Sequence, residues 1–406
     1  MKALGSHCRA AYDAHVSLRI AISGAGIAGP TLAHWLLRSG HVPTLVERAP
    51  AFRTGGYVID FWGAGYRVAR RMGIERAVQE AGYLVHTLRA VGREGEVLAE
   101  VGTEGFHELA GGAFTSLPRG DLAAIVYDTI RDRVDTRFGD SIVGLDAHDA
   151  GVRVAFERGD ERDFDLVIGA DGLHSNVRRL AFGPERDFEH YLGCRVAACV
   201  VEGYRPRDEL VYVTHNVPGK QVGRFALRGD RTMFVFIFRA PREPVPEDQA
   251  AQKAILHREF DDAGWECPQI LAAVDDAQDL YFDAVSQIRM PRWTQGRIAL
   301  VGDAAACVSL LAGEGTGLAM VEAYVLAGEL ARAHGDHRVA FPAYEACLRA
   351  DLERKQQSAT RYISFFATRT RWGLWLRTQA MRAMKFGPLF RALVGRGLRD
   401  DIDLPD

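Results

Sequence analysis

Hydrophobic and polar positions alternate between two rhythms along this chain. Leu18 to Ser23 is a short apolar run carrying one charge, the pattern of a buried parallel strand. A glycine-rich turn follows, and then apolar positions Leu32, Ala33, Leu36 and Leu37 recur at helical spacing until Gly40. Val42 to Val46 predicts the next strand, with Glu47 at its end. Asp165 to Ile168 predicts another buried strand, and a long helix is predicted through Val321, Tyr324, Val325 and Leu330. From about 190 to 285 this βα rhythm is absent. Cys194–Val201, Glu209–Thr214, Gln221–Leu227 and Arg231–Phe238 read as antiparallel strands. In the last of these Phe234, Phe236 and Phe238 share one face at period two, which suits either a flat aromatic ligand or a plain hydrophobic core. The fold class is α/β, with a Rossmann-like unit, an inserted and mainly antiparallel β-sheet domain, and a C-terminal helical segment.

With 406 residues and 48% hydrophobic composition, the chain is long enough for a large α/β core plus a second domain. Fifty basic and 53 acidic residues nearly cancel, so no nucleic-acid partner is expected. Cysteines 8, 194, 199, 267, 307 and 347 form no CxxC pair, which predicts no metal site and reduced thiols in a cytoplasmic protein. No run approaches the roughly 18 apolar residues of a membrane span, and the first sixteen residues lack the apolar region of a signal peptide.

The glycine turn is Gly24-Ala25-Gly26-Ile27-Ala28-Gly29. Gly24 permits the tight turn, Gly26 lets a diphosphate approach the backbone, and Gly29 lets the helix pack closely on the strand. The helix N-terminus adds free N–H groups and a positive dipole end for the diphosphate. Glu47 stands 23 residues after Gly24, near the spacing of about 20 expected of the acid that binds a ribose 2′-hydroxyl. Its charge disfavours a 2′-phosphate, so the unit fits FAD or NAD better than NADP.

Two further motifs make the reading specific. The middle one is Asp165-Leu-Val-Ile-Gly169-Ala-Asp171-Gly172, followed by Ser175 and Arg178. The late one is Arg297-Ile-Ala-Leu-Val-Gly302-Asp303-Ala304-Ala305, followed by Gly313-Glu-Gly315-Thr316-Gly317. Together with the first turn they resemble the FAD site of the flavoprotein aromatic hydroxylases, the para-hydroxybenzoate hydroxylase family. The likeness covers about residues 18 to 333, and is greatest to tetracycline-inactivating and aromatic polyketide monooxygenases.

The resemblance implies FAD contacts at Gly24, Gly26, Ala28, Gly29, Glu47, Arg48, Arg53, Arg119, Asp171, Gly302, Asp303, Gly313, Gly315, Thr316 and Gly317. Asp303 would meet the ribityl hydroxyls, and Arg119 and Arg53 would lie at the flavin. A substrate pocket at Phe225, Phe234 and Phe236 is implied on the inserted sheet. The expected organisation is an extension over 1–16, an FAD-binding domain from 17–90, 115–185 and 286–335, a substrate domain from 91–114 and 186–285, and a helical segment over 336–406. The implied reaction consumes NADPH or NADH as a transient co-substrate, since no second GxGxxG unit is present. It inserts one oxygen atom from O2 into a small aromatic or polycyclic substrate through a flavin C4a-hydroperoxide. Epoxidation, Baeyer–Villiger oxidation, dehydrogenation, or flavin binding without turnover are the alternatives on the same scaffold. A monomer or homodimer is expected.

The chain departs from the family pattern at Ala306, where His is usual, at Leu310 for Pro, at Glu314 for Gln and at Gly317 for Asn. No catalytic side chain is identified; His107, His174, His190 and His215 are candidates for a base. Arg361 to Arg399 carries nine basic residues, no acid, and interleaved aromatics. Such a segment packs across two domains, lines a substrate entrance or lies on a membrane; packing is the expectation.

Overall fold

The computed structural model describes residues 17–52, 57–109, 111–384 and 402–405. Its centre is a six-stranded sheet in the order Thr294–Gln295, Ile298–Leu300, Leu166–Gly169, Arg19–Ser23, Val42–Glu47 and Asp135–Phe138. All neighbours are parallel except the edge pair Thr294–Gln295 and Ile298–Leu300. Leu166 to Gly169 is buried throughout, as a strand covered on both faces must be. The helices Ala28–Arg38 and Gly315–Arg332 contribute the apolar faces that pack with this sheet into one core.

The inserted region forms a seven-stranded sheet in the order Leu280–Ile288, Glu189–Glu202, Arg231–Arg239, Lys220–Leu227, Val211–Val217, Thr87–Val91 and Val97–Gly102. The four predicted strands are present with shifted ends, and Glu189–Glu202 is the longest at 14 residues. Two helices, Gln249–Phe260 and Cys267–Asp276, lie where the sequence reading placed no helix. Their signal is the 3–4 spacing of Gln252, Ile255, Leu256 and Phe260 behind the cap Asp248, whose carboxylate accepts from Ala251 N at 3.0 Å.

These helices decide the fate of the phenylalanine stripe. Phe234, Phe236 and Phe238 pack with Leu256, Phe260, Ile270 and Leu271 in a core between sheet and helices. Phe236 and Phe238 meet Phe260 edge-on at 5.1 and 5.9 Å. Phe234 and Phe236 are therefore core residues, which corrects their assignment to a substrate pocket. The opposite face carries Tyr212, Phe225, Met233 and Val235, together with Gln221 and Gly223, which alternate with the helix-facing Val222.

The C-terminal part comprises the helices His337–Phe366 and Arg371–Ala383. Thr370 caps the second, accepting from Gly373 N at 3.0 Å. Met381 and Met384 pack on Ala90, Ala99 and Val101 of the seven-stranded sheet, while Trp372 and Trp375 stack on each other in solvent. Residues 402–405 return to the first domain, where Arg67 donates to Ile402 O at 2.6 Å and Tyr324 to Pro405 O at 2.8 Å. Among the described residues no helix is long and apolar enough to cross a membrane.

One crossing sets the position of the Gly315–Arg332 helix. A Cβ on Gly65 would stand 2.3 Å from Gly317 Cα, whereas a Cβ on Gly317 would find Gly65 Cα at an ordinary 3.6 Å. Gly65 lies in the Gly63–Arg71 helix, so the two helices touch backbone to backbone and the crossing tolerates a methyl from one side only. Gly65→Ala is expected to lower stability by about 1–3 kcal/mol by overpacking, and Gly317→Ala to change it little. Urea unfolding of both variants checks this, and equal effects would place the contact elsewhere.

Candidate active site

Three segments meet at the C-terminal ends of the central parallel strands, the usual ligand position in open α/β sheets. Gly24 has φ +104°, and a Cβ there would stand 2.5 Å from Ala170 O. At Gly29 it would stand 2.0 Å from Gly24 O. Both glycines are dictated by backbone contact. Gly26 differs, because a Cβ there would meet only Arg119 Nη2, at 3.6 Å. Its face is open to the cleft, with a guanidinium alongside.

Glu47 closes one end of the turn. Its carboxylate accepts from Ala25 N and from Ala49 N, each at 2.9 Å, and keeps lone pairs for a further donor. Arg48 beside it is exposed. Gly302 has φ +65° and lies between Ala28 and Ala319, and its N–H donates to the buried Glu322 at 2.8 Å. Tyr344 donates to the same carboxylate oxygen at 3.1 Å, and burial holds the Glu322 carboxyl well above its usual range. Asp303 starts the next short helix, and a Cβ on Gly315 would lie 3.6 Å from its Oδ1. Gly313 is left-handed, and Gly315 and Thr316 open the long helix, so its first amides lack intrahelical acceptors.

Arg119 begins the Arg119–Asp128 helix and is tied by its N–H to Tyr57 O at 3.0 Å. Its charge acts on Asp303, Tyr57 and Tyr281 together. Burial raises the Asp303 carboxyl above its ordinary range, against the pull of Arg119. Burial also pushes Tyr57 up to about 12 and Tyr281 well above the usual phenol range. The two rings lie 5.6 Å apart, Tyr57 beside Arg119 and Tyr281 on the Leu280–Ile288 strand. Cys307, facing Asp303, is likewise held as a thiol by burial and then by that carboxylate. The site thus offers a backbone cradle at Gly26 and Gly302, one carboxylate beside one guanidinium, and phenolic donors at the seam with the seven-stranded sheet.

Comparison with known proteins agrees with this geometry. Residues 17–340 match the family described as FAD binding domain. A protein described as a flavin-dependent monooxygenase, from an unknown prokaryotic organism, is 39% identical over 342 residues, covering 83% of this chain and 87% of the relative. One of the same description from Legionella longbeachae is 35% identical, covering 84% and 87%. The crystal structure of tetracycline destructase Tet(55) superposes with a TM-score of 0.82 at 34% identity, covering 97% of this chain and 99% of that one. The chain belongs to the FAD-binding monooxygenase family. It is an FAD-dependent monooxygenase.

The cleft of this monooxygenase fits FAD on its own geometry, because a diphosphate needs the side-chain-free approach that Gly26 leaves open. Not every residue expected at the cofactor turns its side chain there. The Asp171 carboxylate accepts from Ser23 Oγ at 3.1 Å, from Asn176 N at 2.9 Å, from Val177 N at 3.0 Å and from Ser175 Oγ. It caps the Asn176–Ala181 helix with its lone pairs filled, so this segment meets the glycine turn through its backbone. Arg178 is buried as well. It donates to Ala304 O at 3.1 Å and to Glu185 at 2.8 Å, clasping the middle motif to the late one. Arg53 lies outside the described residues. Glu314 pairs with Lys355 at 2.8 Å, so the acid that replaces the family's Gln arrives with its own cation.

The candidate bases fare differently. His215 is buried on the helix-covered face of the sheet, its ring nitrogens 3.2 Å from Val91 O and 2.9 Å from Ala263 O. His190 is exposed, and the His107 side chain lies outside the described residues. His174 sits between Asp283, at 3.2 Å, and Glu185, at 2.9 Å, and these two carboxylates raise it to about 10. It is an imidazolium at neutral pH and no base. Sequence reasoning missed Tyr281 and Asp283, which carry no local motif, and did not single out Tyr57, four residues beyond Arg53 in the loop that the family resemblance covers.

The raised value fixes a pH dependence. A folded value near 10 against an ordinary 6.5 means the ion pairs stabilise fully below about pH 6.5 and lose that effect as pH climbs through 10. The ring is half exposed, which weakens the effect. His174→Asn should therefore destabilise the protein at pH 6 and hardly at all above pH 10. Urea titrations at both ends check this, and a constant difference would show that the histidine is not charged through its partners.

Proposed function

We propose that this monooxygenase uses NADPH or NADH to hydroxylate a flat aromatic or polycyclic small molecule held on the inner face of the seven-stranded sheet. The observation that carries this reading is the seam itself. Arg119, Asp303, Tyr57 and Tyr281 gather between the glycine cradle and the apolar sheet face that bears Phe225, Met233 and Val235. The likeness to tetracycline destructases, whose name declares a polycyclic substrate, supports the same class.

The residues that would hold FAD follow from their positions. Gly26 and the Ala28 helix N-terminus take the diphosphate, Glu47 the adenosine ribose, Asp303 the ribityl hydroxyls, and Arg119 lies alongside. When bound, FAD supplies two-electron chemistry and the activation of O2. The amides of Gly315 and Thr316 set a positive field at the cleft, which favours negative charge developing there. Tyr57 and Tyr281 keep their protons at neutral pH, so they donate hydrogen bonds and remove none. The apolar sheet face excludes water from the reacting centre. With His174 protonated and Cys307 a thiol, neither serves as a general base, and a phenolic substrate ionises by its own acidity.

Asp303→Ala is expected to weaken FAD binding by about 10- to 100-fold, the worth of hydrogen bonds to a charged group. Flavin absorbance of the purified variant against wild type checks this, with far-UV circular dichroism as the folding control; unchanged occupancy would remove Asp303 from the site. The reaction is tested by following NADPH and NADH oxidation across phenols and polycyclic polyketides, tetracyclines included. Oxidation stimulated by a ligand, with one oxygen atom gained by the product, is expected. A product that has lost two hydrogens would make the protein a dehydrogenase.

A further inference from the structure

Arg377 lies in the Arg371–Ala383 helix, on the side turned towards the inner face of the seven-stranded sheet. Its guanidinium stacks 4.4 Å above the Phe365 ring, and its Nη2 donates to Gln221 Oε1 at 3.2 Å. Its Nε is buried with no hydrogen-bond partner. Among the described residues the one titratable group acting on it is the phenol of Tyr212. A guanidinium out of water without a counter-anion is costly, and burial lowers its affinity for the proton to about 10.

The surroundings are equally incomplete. Asn216 lies directly opposite Gln221 in the Val211–Val217 and Lys220–Leu227 pairing, on the same face, and its Oδ1 is also buried without a partner. Tyr212 is on this face too. Its hydroxyl lies 2.6 Å from where a Cβ on Gly223 would stand, so that glycine leaves the space the hydroxyl occupies. A cation with a spare donor, an amide with a spare acceptor and a phenol therefore share one sheet face with Thr214 and the apolar Phe225, and the Asp60 carboxylate also acts on the phenol.

We infer that Arg377, held by Gln221, recognises an ionised oxygen on a flat ring of the substrate, an enolate or phenolate, whose charge is the counter-anion that the described residues do not supply, while Asn216 Oδ1 accepts from a neutral hydroxyl beside it. This rests on the sheet face being the substrate wall. It defines Arg377 as a specificity residue, since a neutral ring leaves the guanidinium unpaired. It also fits a protonated His174, because a substrate bound as its anion needs no base.

The test compares two ligands of one skeleton on the FAD-loaded enzyme at mildly alkaline pH: alizarin, which carries an ionised ring hydroxyl, and anthraquinone, which carries none. Binding is read from the perturbation of flavin absorbance, without turnover. Wild type should bind alizarin about 10- to 100-fold more tightly than anthraquinone. Arg377→Met should erase that preference and Arg377→Lys retain part of it, with the flavin spectrum reporting an intact fold. Gln221→Leu should weaken the preference without abolishing it, and serves if the Arg377 variants fold poorly. A guanidinium serving only to clasp Phe365 would leave the ratio unmoved. Wild type binding both ligands equally, or neither, or Arg377→Met keeping the preference, overturns the inference. An oxygenated product from a neutral ring with no such preference would overturn it and leave the hydroxylase reading standing.

Discussion

Backbone-to-backbone contact among three distant segments is the constraint on which this structure depends. Gly24 touches the Ala170 carbonyl and Gly65 meets Gly317 backbone to backbone, while Gly302 packs under the methyls of Ala28 and Ala319. A side chain at Gly24 or Gly65 would force the backbones apart and one at Gly302 would crowd the alanine methyls, and each contact brings another motif to the open face at Gly26. A buried parallel sheet holds the strands in register, and the glycines let their C-terminal ends converge. Asp303 and Arg119 come together only because these contacts are made.

The electrostatics follow from that convergence. The Asp303 carboxyl, two phenols and the Cys307 thiol all lie in a partly dry cleft, and burial pushes each towards its protonated form. Arg119 opposes this most strongly at Asp303, and Arg178 acts in the same direction. Farther out, Arg178, Glu185, His174 and Asp283 form a paired network linking the middle motif to the inserted sheet. Among these groups the cleft therefore offers mainly donors and fields. That arrangement suits a bound cofactor that carries the difficult chemistry itself.

The sequence made much of this legible. The strand, glycine turn, helix and Glu47 were readable because their chemistry is local, with spacing along the chain equal to spacing in the unit. The middle and late motifs were readable as types, and the structure brings both to the same edge. Directions were harder. The Asp171 position was legible, but its inward turn to cap a helix depends on Ser23, far away in sequence. The alternation of Phe234, Phe236 and Phe238 proves a shared face without saying which face, and two helices at 249–276 decide it. Tyr281 and Arg377 lie in segments with no signature, since a basic, aromatic tail does not reveal which of its arginines turns inward.

The measurement that tests the central claim most directly is a crystal structure of the protein with FAD bound. The account predicts the diphosphate against the backbone of Gly26 and Gly302, the ribityl chain at Asp303, and the isoalloxazine beneath the sheet face that carries Tyr281 and Phe225. A flavin seated elsewhere, or with its ring on the Phe234 and Phe236 face, would contradict it.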